Sequence, residues 1–266
     1  MNPWYAIERE KRLKKVYNRP DSAAFIRTPQ PIIRKPKQPE MLPEEPPKRI
    51  RPADVVMMEL AVKVRKKLRD NVPFIWPPDF YHDLCTSWFE EQKAKGLSDI
   101  VFLCGEEAEK AMGLFRNCGL ACWYTNGKVV FFVPETKNQG NEFVPVINTV
   151  KIKRHYRKPI FQDNATTFMD ALQKIADFAG FKGWVDQFLK GLSIMRNDQP
   201  YLGQENTFPI PKPYFKYLHA AQVTTLGVGM GSWYDLPTAN STKFKIVTQY
   251  FTTERDKALM YAINNC

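Results

Sequence analysis

Apolar residues recur with the spacing of an α-helix over several stretches of the chain. In residues 166–179, for example, Phe168, Leu172 and Ile175 lie three or four positions apart, so they form one stripe that can face a core. The predicted helices cover residues 53–70, 78–95 (or 79–95), 105–117, 166–179, 183–195, 214–224 and 252–263. Proline, glycine or polar residues flank these stretches, as is typical of helix ends.

Short apolar runs predict strands at residues 99–103, 120–124 and 128–133. Thr125-Asn126-Gly127 joins the last two, and Asn-Gly is a strong hairpin signal. Together with helix 105–117, which we expect Gly119 to end, these strands predict a β-α-β-β unit over residues 98–134. We expect Pro134 and the polar residues after it to close this unit.

Two further strands are predicted outside that unit, at residues 143–153 and 243–251. The second is expected to lead into the last helix, with Thr252 or Thr253 as its N-cap. The predicted fold class is therefore α+β, with a small β-α-β-β sheet unit and a mostly helical C-terminal half over residues 160–266.

The N-terminal residues differ in kind from this body. The first 70 residues hold 18 of the 39 lysines and arginines but 9 of the 28 acidic residues, so they carry +9 and the other 196 residues carry +2. They also hold 10 of the 21 prolines. We expect a short helix from Asn2 to Tyr17, and then an extended, polyproline-like segment. The predicted organisation is an extended, basic, Pro-rich N-terminal arm at residues 1–52 and a globular body at residues 53–266.

Apolar and aromatic side chains are interspersed with the charges of this arm, which favours an ordered contact over a free solubilising tail. Acidic residues such as Glu40, Glu44 and Glu45 lie among the basic ones, whereas segments that follow RNA phosphates are usually poor in acids. Protein subunits are therefore the favoured partners, with rRNA as the alternative. The predicted partner-binding residues are Trp4, Tyr5, Arg27, Ile32, Ile33, Arg34, Lys35, Lys37, Arg49 and Arg51.

No motif indicates catalysis strongly. Residues 226–231 contain G-x-G-x-G, which departs from the G-x-G-x-x-G of dinucleotide-binding sites, and no Lys-Ser/Thr follows as in a phosphate loop. His82 with Cys85, and Cys118 with Cys122, have only half of the spacing of a zinc site. His82, His155 and His219 have no nucleophile motif near them. We therefore predict no catalytic, cofactor-binding or metal-binding residues and no cofactor.

These patterns favour a non-catalytic structural or accessory subunit of a large multiprotein complex, held there by its arm. The first hypothesis is a mitochondrial energy-converting complex, such as a respiratory-chain complex or ATP synthase, with the cytoplasm as the alternative compartment. A mitochondrial ribosomal protein that binds rRNA is the second hypothesis. An enzyme that uses a pocket near residues 226–238 is the third. We expect no transmembrane segment, because no apolar run approaches the roughly 20 residues that a membrane helix needs.

Overall fold

The structure is a computed structural model, and it describes residues 52–113, 118–139, 142–150, 156–196, 210–226 and 232–266. Residues Pro47–Cys266 form one compact unit. Within the described residues, seven helices and a four-stranded antiparallel sheet confirm the predicted α+β class. Residues 1–51 of the predicted arm lie outside the described residues.

Helix α1 (Ala53–Asp70) runs through the middle of the fold. All seven residues from Val56 to Val62 are buried, so this part of the helix has other elements packed on every side and not only along one apolar stripe. Among them is Glu59, whose carboxylate lies 3.2 Å from Lys63 Nζ. The helix ends at Asn71, which adopts a left-handed conformation with φ 52°.

Helix α2 (His82–Ala94) begins later than the predicted Pro78 or Asp79. The reason is Asp79, whose Oδ1 accepts hydrogen bonds from the Tyr81 backbone N–H (2.8 Å) and from Trp76 Nε1 (3.1 Å). These bonds hold the chain in a turn before the helix, as aspartate side chains commonly do.

The sheet has the strand order β1-β2-β3-β4, with β1 at Leu97–Leu103, β2 at Gly119–Tyr124, β3 at Val129–Gln139 and β4 at Glu142–Val150. Helix α3 (Gly105–Met112) connects β1 to β2, and the predicted Asn-Gly hairpin connects β2 to β3. The β-α-β-β unit is thus confirmed, and β4 is the predicted strand at residues 143–153.

Two boundaries of this unit were predicted wrongly. Helix α3 ends at Met112 rather than at Asn117, because Gly113 adopts φ 69° and closes the helix with a hydrogen bond to Glu109 O. Gly119, the predicted helix end, instead begins β2. Strand β3 also continues through Pro134 to Gln139. Since β2 pairs with β3 only as far as Phe132, Pro134 lies where β3 has a single neighbouring strand, and a missing N–H is tolerated there.

Different elements cover the two faces of the sheet. Neighbouring residues of a strand point to opposite faces. Phe132 meets Trp88 of α2, with ring centroids 5.2 Å apart, whereas Phe131 meets Tyr156 at 5.1 Å. Helix α2 therefore packs on one face and Tyr156 on the other, and helix α1 also contacts β1, β2 and β3.

The helical half consists of α4 (Ala165–Ala179), α5 (Lys182–Arg196), α6 (Lys212–Val223) and α7 (Thr242–Asn265). Helix α4 packs on α5 and α7, and α6 packs on the same two helices, so the four form a ring. Trp233, in a short 3-10 turn, fills its interior and is fully buried. Its ring stacks on Phe244 at 5.2 Å, and its Nε1 donates to Thr248 Oγ1 at 2.8 Å.

The predicted strand at residues 243–251 is wrong, because these residues form the first half of helix α7. Ser241, rather than Thr252 or Thr253, is the N-cap, and its Oγ accepts the Phe244 N–H at 3.1 Å. Buried Phe244, Thr248 and Phe251 are spaced by four and three residues, which places them on one side of a helix.

Helix α7 also links the helical half to the sheet. Asn264, near its C-terminal end, accepts a hydrogen bond from Phe102 N–H and donates one to Phe102 O, both at 2.8 Å. Arg65 of α1 donates to Ile100 O at 3.1 Å. These side chains form hydrogen bonds with backbone N–H and C=O groups of β1 that point away from β2, so they cover this edge of the sheet.

Candidate functional site

An open groove of about 1690 Å³ lies where α1, α3 and α7 come together. Its walls include Ala53 and Asp54 at the start of α1, the first turns of α3, the segment Pro159–Asn164 and the middle of α7. The groove therefore reaches the point at which the predicted arm joins the body. We take it as the candidate functional site.

Asp256, on α7, is one of the carboxylates that line the groove. Its Oδ1 lies 3.0 Å from Arg255 Nη2, and its backbone carbonyl accepts a hydrogen bond from Cys104 Sγ at 3.5 Å. Burial raises the pKa of Asp256, and the neighbouring Arg255 opposes that shift. The carboxylate packs so closely on Gly105 (φ 56°) that a Cβ at that position would overlap Asp256 Oδ2.

Glu254 lies two residues before Asp256 on α7, and it joins this helix to the start of α4. Its carboxylate accepts hydrogen bonds from Asn164 Nδ2 (3.1 Å), Thr167 Oγ1 and Lys257 Nζ (2.7 Å). Burial favours a raised pKa, but these three hydrogen bonds outweigh it and hold the pKa of Glu254 below its ordinary value. The carboxylate is thus ionised at neutral pH and satisfied by its partners.

The groove carries an excess of negative charge in a chain whose net charge is +11. Its described lining contains seven acidic residues and four basic ones. Lys110 lies 2.8 Å from Glu107, and Lys257 and Arg255 are paired as described above. Carboxylates therefore remain in excess, including Asp54 and Glu109, and the groove favours positively charged binding partners.

Two thiols also line the groove, Cys104 and Cys118. Burial raises the pKa of Cys104 well above its ordinary value and that of Cys118 to about 12, and nearby carboxylates add to both shifts. Both thiols are therefore protonated at neutral pH, which makes them weak nucleophiles. Chemically, the described lining can pair cations and accept hydrogen bonds more readily than it can supply a nucleophile.

The residues that the sequence singled out do not come together. All ten predicted partner-binding residues, from Trp4 to Arg51, lie outside the described residues. Residues 227–231 of the glycine-rich stretch lie outside them too. His82 Nδ1 lies 3.1 Å from the backbone oxygens of both Trp76 and Pro77, and Cys85 and Cys122 are buried in α2 and β2.

Metal and histidine sites can be assessed only over the described part of the chain. There, no three histidine, cysteine or acidic side chains are grouped so that they could hold a metal ion. His219 is buried in α6, and burial, together with the nearby Lys190, lowers its pKa. It does not line the groove.

Sequence reasoning missed the carboxylates that organise the groove. Glu254 meets Asn164 from 90 positions away along the chain, and Asp256 meets Cys104 from 152 positions away. The one local signal is Gly105, two residues after the end of the predicted strand, since glycine there permits a positive φ and a close approach. Helix α7 itself was split into a strand and a helix, so its residues could not be placed on one face.

In the stretches of chain that the structure describes, no helix has the length and apolar character needed to cross a membrane. Comparison with protein-family models, with curated proteins and with solved structures finds no match to this chain.

Proposed function

We propose that this chain is a non-catalytic accessory subunit of a large protein assembly and that residues 1–52 attach it there. One observation carries the proposal: residues 1–52 contain 13 of the 39 basic residues, 6 of the 28 acidic ones and 10 of the 21 prolines. This segment therefore carries +7 of the net charge of +11. Such a composition suits an extended segment that follows the surface of a partner.

The architecture of the body supports the proposal. Among the described residues, one continuous hydrophobic core runs from Val56 to Cys266 and joins the helices to the sheet. We expect a body with such a core to stay folded when residues 1–52 are removed. The candidate groove carries an excess of carboxylates, so it offers a second surface of the body to a positively charged partner.

A mitochondrial energy-converting complex is the assembly that we propose first. The basic net charge and the low, odd number of cysteines suit a reducing compartment on the soluble side of such a complex. A mitochondrial ribosomal protein with its arm on rRNA is the competing proposal, because a basic segment also suits phosphates.

Charge reversal in the arm tests the attachment. We expect the tagged full-length chain with Arg34→Glu, Lys35→Glu and Lys37→Glu together to recover at least about tenfold less of the co-purifying subunits than wild type does. The reason is that the partner surface must complement the positive charge of the arm. The matched control reverses three exposed lysines of the body, Lys128, Lys182 and Lys212, and thus makes the same change in net charge. If both triple variants lose the co-purifying subunits equally, or if neither loses them, attachment through the arm is contradicted.

A further inference from the structure

Cys104 and Cys118 each lie one residue beyond the last registered pair of the β1–β2 ladder. The last registered pair of that ladder is Leu103 with Gly119, so the next position on each strand is a cysteine. Cys104 keeps an extended backbone, with φ −146° and ψ 169°, which continues the strand by one residue. The antiparallel register thus aligns the two cysteines across the strands.

The hydrogen bonds of Asn264 show whether the two cysteines form a hydrogen-bonded or a non-hydrogen-bonded pair of the ladder. Because the N–H and C=O of Phe102 both bond to Asn264, they point away from β2, and Phe102 with Leu120 is a non-hydrogen-bonded pair. Hydrogen-bonded and non-hydrogen-bonded pairs alternate along an antiparallel ladder. Cys104 with Cys118, two positions further on, is therefore of the non-hydrogen-bonded type as well.

A non-hydrogen-bonded pair brings two side chains close together on one face. Its Cα atoms lie about 4.5 Å apart, and a disulfide needs Cα atoms about 4.4–6.8 Å apart. Both cysteines line the candidate groove, where Cys118 is half-buried and Cys104 is buried. Burial raises the pKa of Cys104 most, and the nearby Cys118 adds to that shift, as expected of two neighbouring thiols.

We propose that Cys104 and Cys118 form a redox site, a cross-strand dithiol that a small disulfide such as oxidised glutathione converts to a disulfide. The proposal goes beyond the accessory role and does not depend on it. Cys118 is the more accessible thiol, so it is the one that meets the oxidant.

The reaction takes place in two exchange steps. The Cys118 thiolate attacks one sulfur of oxidised glutathione, forms a mixed disulfide and displaces one glutathione thiolate. The Cys104 thiolate then attacks the Cys118 sulfur and displaces the second glutathione. Two protein thiols lose two protons and two electrons, and one oxidised glutathione becomes two reduced molecules. Because burial raises both thiol pKa values, the exchange is slow at neutral pH and accelerates as the pH rises.

The test treats the purified full-length chain with oxidised glutathione, blocks the remaining thiols, and analyses a non-reduced tryptic digest by mass spectrometry. We expect the peptide that ends at Lys110 to be linked to the peptide that ends at Lys128, with a mass lower by two hydrogen atoms. Dithiothreitol should separate them. Circular dichroism before digestion checks that the protein is folded.

Three variants distinguish the site from other thiols. The peptide ending at Lys128 also contains Cys122, which is buried in β2, so the link must persist in Cys122→Ser. In Cys118→Ser the link must disappear, and in Cys104→Ser we expect glutathione to stay attached to Cys118. The proposal is overturned if folded wild-type protein keeps Cys104 and Cys118 separately alkylated after oxidation, or if the link survives in Cys118→Ser.

Discussion

At the scale of single residues, a few buried polar side chains decide how the elements are joined. Asn264 is the clearest case, because its amide replaces a neighbouring strand for Phe102 and ties α7 to β1. Buried backbone groups need such partners, since an unsatisfied one costs about 1–3 kcal/mol.

Replacing Asn264 with leucine should therefore destabilise the protein markedly. Leucine has a similar size but leaves the N–H and C=O of Phe102 without partners, so we expect the free energy of unfolding to fall by about 2–4 kcal/mol. Urea denaturation measures it. Asn240→Leu, at an exposed position, is the control and should change the free energy of unfolding by less than about 0.5 kcal/mol. Equal effects of both substitutions would mean that the amide of Asn264 does not hold the edge of β1.

Glu254 predicts a dependence of stability on pH. Its pKa is lowered in the folded state, so ionisation of this carboxylate stabilises the fold above its unfolded pKa of about 4.3. The contribution is lost as the pH falls through the folded pKa. We expect Glu254→Gln to lower the free energy of unfolding by about 1–3 kcal/mol at pH 7, and the difference from wild type to shrink below pH 4. Thermal denaturation of both proteins between pH 3 and pH 7 measures this difference, and a constant difference over that range would refute the assignment.

At the scale of elements, α7 shows how local preference and packing compete. Ile246, Val247 and Thr248 are β-branched, which favours a strand. The structure has a helix there because Ser241 caps its first turn and because Phe244, Thr248 and Phe251 all face the buried side. The helical spacing of Phe244, Thr248 and Phe251 can be read from the sequence, but the β-branched Ile246 and Val247 between them favour a strand. Tertiary packing therefore outweighs the β preference of this stretch.

The N-cap of α7 can be tested directly. Ser241→Ala removes the acceptor for the Phe244 N–H, so we expect a loss of about 1 kcal/mol in the free energy of unfolding. Ser87→Ala, at an exposed position within α2, serves as the control and should be neutral or slightly stabilising because alanine favours helices. Guanidinium denaturation compares the two. If Ser241→Ala unfolds at the same denaturant concentration as wild type, the helix does not begin where the structure places it.

At the scale of the whole molecule, much of the fold could be predicted from periodicity. Helices such as α4 and α5 have clear apolar stripes, and the Asn-Gly turn predicts the β2–β3 hairpin. The groove could not be predicted in this way. Its walls come from α1, α3 and α7, and contacts such as Cys104 with Asp256 join residues that no local pattern relates. The arm was recognised from charge and proline, and its role remains a prediction.

The central claim is that the arm attaches the body to a protein assembly. Velocity sedimentation of a gentle lysate tests it most directly, with the full-length chain and a chain lacking residues 1–52 compared before and after ribonuclease treatment. We predict that the full-length chain sediments with a large particle in both treatments, and that the shortened chain stays folded but sediments slowly. A shortened chain that still sediments with the particle would contradict attachment through the arm, and a particle that collapses with ribonuclease would show that the arm binds RNA instead.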